Sequence, residues 1–490
     1  MRYSTIAIGA FLACSSMAQN EGDALRISLA QPGGTARSNG MANAFGALGA
    51  DPVCIGINPA GLGLYRSSGL SLTTSLDVNN TSTRHYGTSG DDYQTRFAFS
   101  NLALVLNTKA EEGSDWRSGT FGMIYDRTQS HHWTTTANGT NVPSSIVQGF
   151  ADEASGTPYT TLSSDLPFTA GLAWDAYAID TIGGSTDQYA PFPFGTTTKQ
   201  LHTIEGHGAN TRTAFFYSGN YMDKLYLGMS LGLNGHRFNR VTRHTEDSED
   251  PTTDLRQVVY REDLTTTGNG IDIKLGALVR ITDRVRAGAA IMSPQWMRLN
   301  DAYSMQVRTL FSTPDQDGNY DYEATSPDGT YAYRVNTPWR ATASLAYLAG
   351  KNGAVSLDYE YADMRTMRFR PSNQLDDDYD FSSENDAIKD RFRQVHTLRV
   401  GTEWRMGNWY YRGGWSFTQD PYQVNDPQSG QALKTYAAGL GYRGEHLSVD
   451  LGANYTTQRS NFYQYAPYLV NATTVERTGL STFLTFAFRP

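Results

Sequence analysis

From Gly69 onward the chain alternates apolar and polar residues with period two, in run after run, and this limits it to architectures built from half-buried β-strands. In LYLGMSLGLN the apolar set is Leu225, Leu227, Met229, Leu231 and Leu233, facing Tyr226, Gly228, Ser230, Gly232 and Asn234. IDIKLGALVRI sets Ile271, Ile273, Leu275, Ala277, Val279 and Ile281 against Asp272, Lys274, Gly276, Leu278 and Arg280. VSLDYEY sets Val355, Leu357, Tyr359 and Tyr361 against Ser356, Asp358 and Glu360. Similar runs fall near 69–79, 95–106, 117–128, 166–176, 284–293, 339–348, 395–405, 409–418, 434–443, 446–456 and 478–488.

Such alternation fits a sandwich with one wet face or a membrane barrel with lipid outside and a polar lumen. Three features favour the barrel. The runs are about ten residues long, the length a tilted strand needs to cross a bilayer. Tight turns (ITDRV at 281–285, AGKNGA at 349–354, RMGNW at 405–409, YRGEHL at 442–447) alternate with long polar stretches, as in outer-membrane proteins. Aromatics crowd strand ends, as at Trp404, Trp409, Tyr410, Tyr411 and Trp415, consistent with interfacial girdles. The expectation is an all-β, transmembrane antiparallel barrel of about fourteen to sixteen strands, ending in TGLSTFLTFAFRP.

Composition narrows the partners. Forty basic against 49 acidic residues give a formal charge of −9, which argues against nucleic acid. Thirty Tyr, 21 Phe, 8 Trp and 47 Gly suit strands and turns. The start, MRYSTIAIGAFLACSSMAQ, has a basic Arg2, an apolar run to Cys14 and a small-residue site at Ser16-Met17-Ala18, so residues 1–18 read as a secretory signal cut before Gln19. Cys14 as a lipidated cysteine is the weaker reading, because Phe11 and Leu12 match poorly what should precede it. With the signal removed only Cys54 remains, which leaves no intrachain disulfide. No later run of 18 apolar residues marks a transmembrane helix.

Before the strands comes a small-residue segment, GTARSNGMANAFGALGADPVCIGINPAGLGLYR, beginning at Gly34. Asn58 is a favoured helix N-cap and Pro59 has its φ already set, so a short helix should begin there. Gly61 and Gly63 should release the chain through the left-handed conformation that ends helices. Polar stretches near 129–165, 183–212, 238–256, 298–335 and 366–393 read as exposed loops, with SSIVQGFADEA (144–154) a short helix over the mouth.

Other motifs fail on context. Asp315, Asp317 and Asn319 stand at calcium-loop spacing, but the required Gly and Glu positions hold Tyr320 and Ser326. Both they and DDDYD at 376–380 read as solvated acidic surface. GMSLG (228–232) matches a nucleophile elbow, yet Ser230 lies mid-strand instead of on a strand-to-helix turn. His131 and His132 have no third ligand at metal spacing. No cofactor, metal or catalytic set is expected, and the chain does not read as an enzyme.

The segment Gly34 to Arg66 resembles the FadL/TodX family of outer-membrane transporters for long-chain fatty acids and aromatic hydrocarbons. The likeness is carried by Gly40-Met41-Ala42-Asn43-Ala44-Phe45, Ala50-Asp51 and the NPA motif Asn58-Pro59-Ala60-Gly61. LPFTAGLAW (166–174), VRAGAAIMSP (285–294), TPWRATASLAY (337–347) and LRVGTEWR (398–405) resemble its strand pieces, and the Tyr-rich strands with NYMDKLYLGMSLG and IKLGALVRITDRVRAGAAIMSP look most like members from Bacteroidetes-type bacteria. The resemblance implies a fourteen-stranded barrel at 69–490 and an N-terminal hatch with short helices inside the lumen at 19–68. It also implies an internal apolar pocket and passive release when the hatch or an inward strand kink opens. Asn58, Pro59, Ala60 and Gly61 would shape the hatch, and Met41 and Phe45 would face the ligand. The implied setting is a monomer in the outer membrane, amid its lipid and lipopolysaccharide, placed by the barrel assembly machinery and taking up hydrophobic small molecules. The alternative is a barrel that binds protein partners as a shuttle in secretion.

Overall fold

The computed structural model describes residues 20–29, 31–372 and 379–490, so the signal, Cys14 and residues 376–378 of the acidic run lie outside the described residues. The described chain closes into a fourteen-stranded antiparallel barrel. Its staves are β1 Gly69–His85, β2 Thr88–Lys109, β3 Trp116–Ser130, β4 Thr198–Tyr221, β5 Leu225–Ser248, β6 Leu255–Arg280 and β7 Val285–Met292. They continue as β8 Arg340–Ala349, β9 Gly353–Asp363, β10 Gln394–Met406, β11 Trp409–Thr418, β12 Leu433–Arg443, β13 Leu447–Phe462 and β14 Thr473–Phe488. Closure comes from β1 against β14, from Leu70↔Phe488 to Arg84↔Thr474, which leaves no open edge there.

Alternation sets the two faces as expected. On β5, Leu227, Met229, Leu231 and Leu233 face outward, while Tyr226 and Ser230 are about 1% exposed on the lumen side. The tight turns expected at 281–285, 349–354, 405–409 and 442–447 join consecutive staves, and Trp404, Trp409, Tyr411 and Tyr442 ring that end, exposed.

Many stretches expected to be loops are strand. β4, β5 and β6 run to 24–26 residues and carry 198–212 and 238–248 well past the apolar band. Five further strands extend the sheet on that side: Trp133–Val142, Trp296–Phe311, Asp321–Thr325, Gly329–Asn336 and Arg368–Pro371. Beyond the lipid the outer face has no need to be apolar, so the alternation fades although the pairing persists. Breaks at 293–295, 337–339 and 364–367 separate β7, β8 and β9 from their extensions, and Pro294 and Pro338 stand in two of them. Side chains replace the missing ladder bonds: Ile273 N–H donates to Ser293 Oγ (3.0 Å) and Gln295 N–H to Thr337 Oγ1 (2.8 Å).

A helical cap covers the mouth. Ser145 caps α4 (Ile146–Ala154), the helix expected there, by accepting from Val147 N–H. The expected strand at 166–176 is not formed; α5 (Leu162–Asp165) and α6 (Ala170–Asp175) take its place. Its apolar residues join the cap core around Phe150, Leu172, Tyr260 and Val307 rather than a lipid-facing row. The Asp315 carboxylate accepts from Asp317 N–H, Asn319 N–H and Tyr322 O–H. Those bonds hold its pKa down at about 2 and close a local turn. Among the described residues no cluster of three or more His, Cys, Asp or Glu could hold a metal.

Candidate functional site

The N-terminal segment lies inside the barrel. It contains α1 (Glu21–Ser28), α2 (Ala36–Asn39), α3 (Cys54–Ile57) and a 3₁₀-helix at Pro59–Leu64 that enters β1 at Gly69. The last helix starts where expected: Asn58 Oδ1 accepts from Ala60 N–H (3.2 Å), and Pro59 occupies the first position. The same Asn58 amide donates to Gly46 O (2.8 Å) and to Ala277 O (3.0 Å) on β6, tying the hatch to itself and to the wall. Gly61 and Gly63 do not end the helix, which runs through both to Leu64. They serve packing: a Cβ on Gly61 would meet Cys54 Sγ at 2.9 Å, and one on Gly63 would meet Ser218 Oγ at 2.7 Å. The left-handed positions are instead Gly49 (φ 73°) and the non-glycine residues Ala42 (φ 50°), Asn43 (φ 58°) and Ala50 (φ 55°).

An irregular backbone in a lumen must have its polar groups satisfied, and the inner wall supplies the partners. Gly34 N–H donates to Asp126 Oδ1 (2.9 Å), Ala36 N–H to Thr485 Oγ1 (2.7 Å) and Gly46 N–H to Asp358 Oδ2 (2.9 Å). Arg286 donates to Leu48 O (2.8 Å), and Lys274 Nζ to Gly56 O. Arg37 holds Glu403 through two nitrogens (2.9 and 2.8 Å), and Arg412 donates to the same carboxylate at 2.6 Å. Wall glycines bring the backbones this close. A Cβ on Gly276 would lie 2.1 Å from Asn58 Oδ1, and one on Gly228 2.4 Å from Ala60 N. The small-residue face of the strands is therefore the seat of the hatch. Ser230, from the failed elbow motif, faces this lumen from mid-β5, with Arg212 donating to it at 3.4 Å.

Met41 and Phe45 are fully buried in a core shared by the hatch, with Leu48, Ile55 and Ile57, and the inner wall, with Val105, Ile124 and Phe216. Ala42 and Asn43 themselves border a cavity of about 290 Å³ above the hatch. Its wall includes Asp77, Asn79, Ser100 and Arg127, with Leu433 and Phe483 as apolar surface.

Beside that cavity the barrel wall is interrupted. The whole of β1 pairs with β2, from Gly69↔Val105 to His85↔Thr88. β2 pairs with β3 only from Asn101↔Asp126 to Lys109↔Ser118. Among the described residues, the rest of that β2 edge has no strand partner. β3 instead bends inward while keeping its bonds to β4, with a register shift between Arg127 and Gln129. Continued alternation would aim Arg127 outward, yet its Nη2 reaches the inner face of β1, at Asp77 Oδ2 (2.5 Å) and Ser75 Oγ (2.8 Å). Asn79 donates to His132 O (3.0 Å) and Thr136 N–H to Asp92 Oδ2 (2.6 Å), so the strand continues behind the β1–β2 hairpin. Arg96 spans the opening, donating to Gly208 O at 3.1 Å. Phe97 and Phe99, exposed on the outer face of the free edge, place the opening at lipid height. His131 accompanies the bend, its Nε2 hydrogen-bonded to Asn210 Oδ1 (3.0 Å).

No protein-family model and no curated protein sequence matches this chain. Among solved structures, a FadL homologue from Pseudomonas aeruginosa is similar over 94% of this chain and 99% of that one, with a TM-score of 0.56 and 14% identity. The deltaS2S3 mutant of TodX, a monoaromatic hydrocarbon channel, is similar over 94% of this chain and 100% of that one, with a TM-score of 0.52 and 13% identity. The fold is that of the FadL/TodX-type outer-membrane channels.

Proposed function

We propose that the chain is an outer-membrane channel for passive uptake of hydrophobic small molecules, long-chain fatty acids or aromatic hydrocarbons. Solute collects at the apolar cap, enters the cavity above the hatch and leaves sideways into the bilayer between β2 and β3, with the hatch in place. The observation that carries this reading is the wall opening beside the cavity, set against a hatch bonded to the wall all round. An apolar solute gains by moving from a lumen directly into lipid and would lose by crossing a wet exit.

The test is a reversible bridge across the opening. In a Cys54→Ala background, Arg96→Cys and Ser130→Cys are linked by a short bis-methanethiosulfonate, which forms a disulfide with each thiol as methanesulfinate leaves, and uptake of labelled palmitate and toluene is followed in cells. Bridging should suppress uptake, and reduction should restore it. Uptake of both solutes unchanged by the bridge would sink the lateral route.

A further inference from the structure

On the wall above β7, β8 and β9, three arginines face outward side by side. The register places Arg298 directly opposite Arg334, and Arg334 directly opposite Arg370, across three neighbouring strand extensions. Their sequence neighbours Leu299, Val335 and Phe369 are buried in the core beneath, which fixes the arginines on the outer face. Arg298 and Arg370 are exposed, and Arg334 is half-buried with its Nε donating to Pro371 O (2.9 Å).

The row has a definite height. Trp296 pairs with Ile271 at the top of the apolar band, and Trp339 is exposed in the adjoining break, so both mark the interface. Arg298 is two residues further out, about 7 Å along the strand. Arg368, across from Asn336, stands one step below Arg370 on the same face. This is the level of the outer-leaflet headgroups.

The row is also uncompensated. Nearby outward arginines have carboxylates: Arg261 with Asp263, Arg308 with Asp321 and Arg365 with Asp363. Among the described residues, no carboxylate pairs with Arg298, Arg334 or Arg370. Directly opposed like charges on a sheet are destabilising, and directly opposed positions are only about 5 Å apart. An arrangement of this kind becomes favourable when an anion with several acceptor oxygens lies across it. Guanidinium groups match phosphate in a two-pronged geometry that lysine cannot reproduce.

We infer that Arg298, Arg334 and Arg370 form a binding site for the phosphate groups of an outer-leaflet glycolipid. The site lies four to six staves from the β2–β3 opening, so a lipid held there leaves that opening clear. The inference rests on the outer-membrane reading of the barrel and is independent of what passes through it.

Protein folded in detergent is mixed with bis-phosphorylated lipid A, and retention is read by native mass spectrometry. The wild type should retain lipid, and R298Q/R370Q should weaken retention about tenfold or more, as loss of charge-assisted bonds implies. R261Q, at an arginine with its own carboxylate, should match the wild type. Dephosphorylated lipid A should not be retained, and millimolar inorganic phosphate should not displace the intact lipid. Equal retention by R298Q/R370Q, retention of the dephosphorylated lipid, an equal loss in R261Q, or displacement by inorganic phosphate alone would each overturn the assignment. Heat-dependent gel mobility confirms the folded barrel, and the single variants R298Q and R370Q, both at exposed positions, serve if the double variant does not fold.

Discussion

The hatch seat and the β2–β3 rim are both places where the regular sheet meets something else, and they are built in opposite ways. At the seat, wall glycines remove side chains so that backbones can touch, and almost every irregular hatch group finds a carboxylate, amide or guanidinium on the wall. At the rim, the β2 edge beyond Asn101 has no strand partner among the described residues, and side-chain bonds bridge it instead, Arg96 to Gly208 O, Arg127 to Asp77 and Asp92 to Thr136 N–H. The seat is tied backbone to wall at close range, whereas the rim is held by side chains with no ladder of backbone bonds. That contrast supports the proposed path through the side of the barrel over one through its floor.

The largest expected effect comes from destroying the seat. Gly276→Leu forces a side chain into Asn58, and overpacking of this severity should unseat the hatch and raise single-channel conductance in planar bilayers about tenfold. Next is Glu403→Ala, which removes the two-pronged partner of Arg37 and leaves Arg412 with Asp450 alone. Stability should fall by about 3–5 kcal/mol, read from the urea midpoint of the detergent-folded protein. Asn58→Ala removes a helix cap and two donated bonds, and should cost about 1–2 kcal/mol in the same assay. Smallest should be Arg96→Gln at the rim, within about 0.5 kcal/mol of wild type in stability yet with raised palmitate uptake. A rim variant as destabilising as Glu403→Ala would erase the contrast.

The barrel was legible because lipid imposes one rule on every stave, and that rule is local: residues such as Leu227 to Leu233 alternate whatever their neighbours do. The start of the hatch helix was legible for the same reason, since Asn58 and Pro59 act within one turn. The opening was not. Phe121, Met123 and Tyr125 keep their alternation up to the bend, and although Arg127 interrupts the apolar row, it does not say that β2 has stopped pairing there. The arginine row is likewise invisible until the register brings residues 298, 334 and 370 together. Outside the bilayer the outer face is released from the apolar rule, and the long β4–β6 extensions therefore read as loops. Met41 and Phe45, expected from the family resemblance to face the ligand, lie in a core shared by the hatch and the inner wall, a packing that only the folded barrel brings together.

The central claim is tested most directly by letting the solute report its own path. A photoreactive long-chain fatty acid is carried through the folded protein in bilayers, activated by light, and its attachment sites are mapped by peptide mass spectrometry. The account predicts labelling at Phe97, Phe99 and Ser100 on β2 and around Arg127 to Ser130 on β3, with the Asn58 to Leu64 peptide unlabelled. Labelling concentrated between Asn58–Leu64 and the facing strands β5 and β6 would place the route through the floor and contradict it.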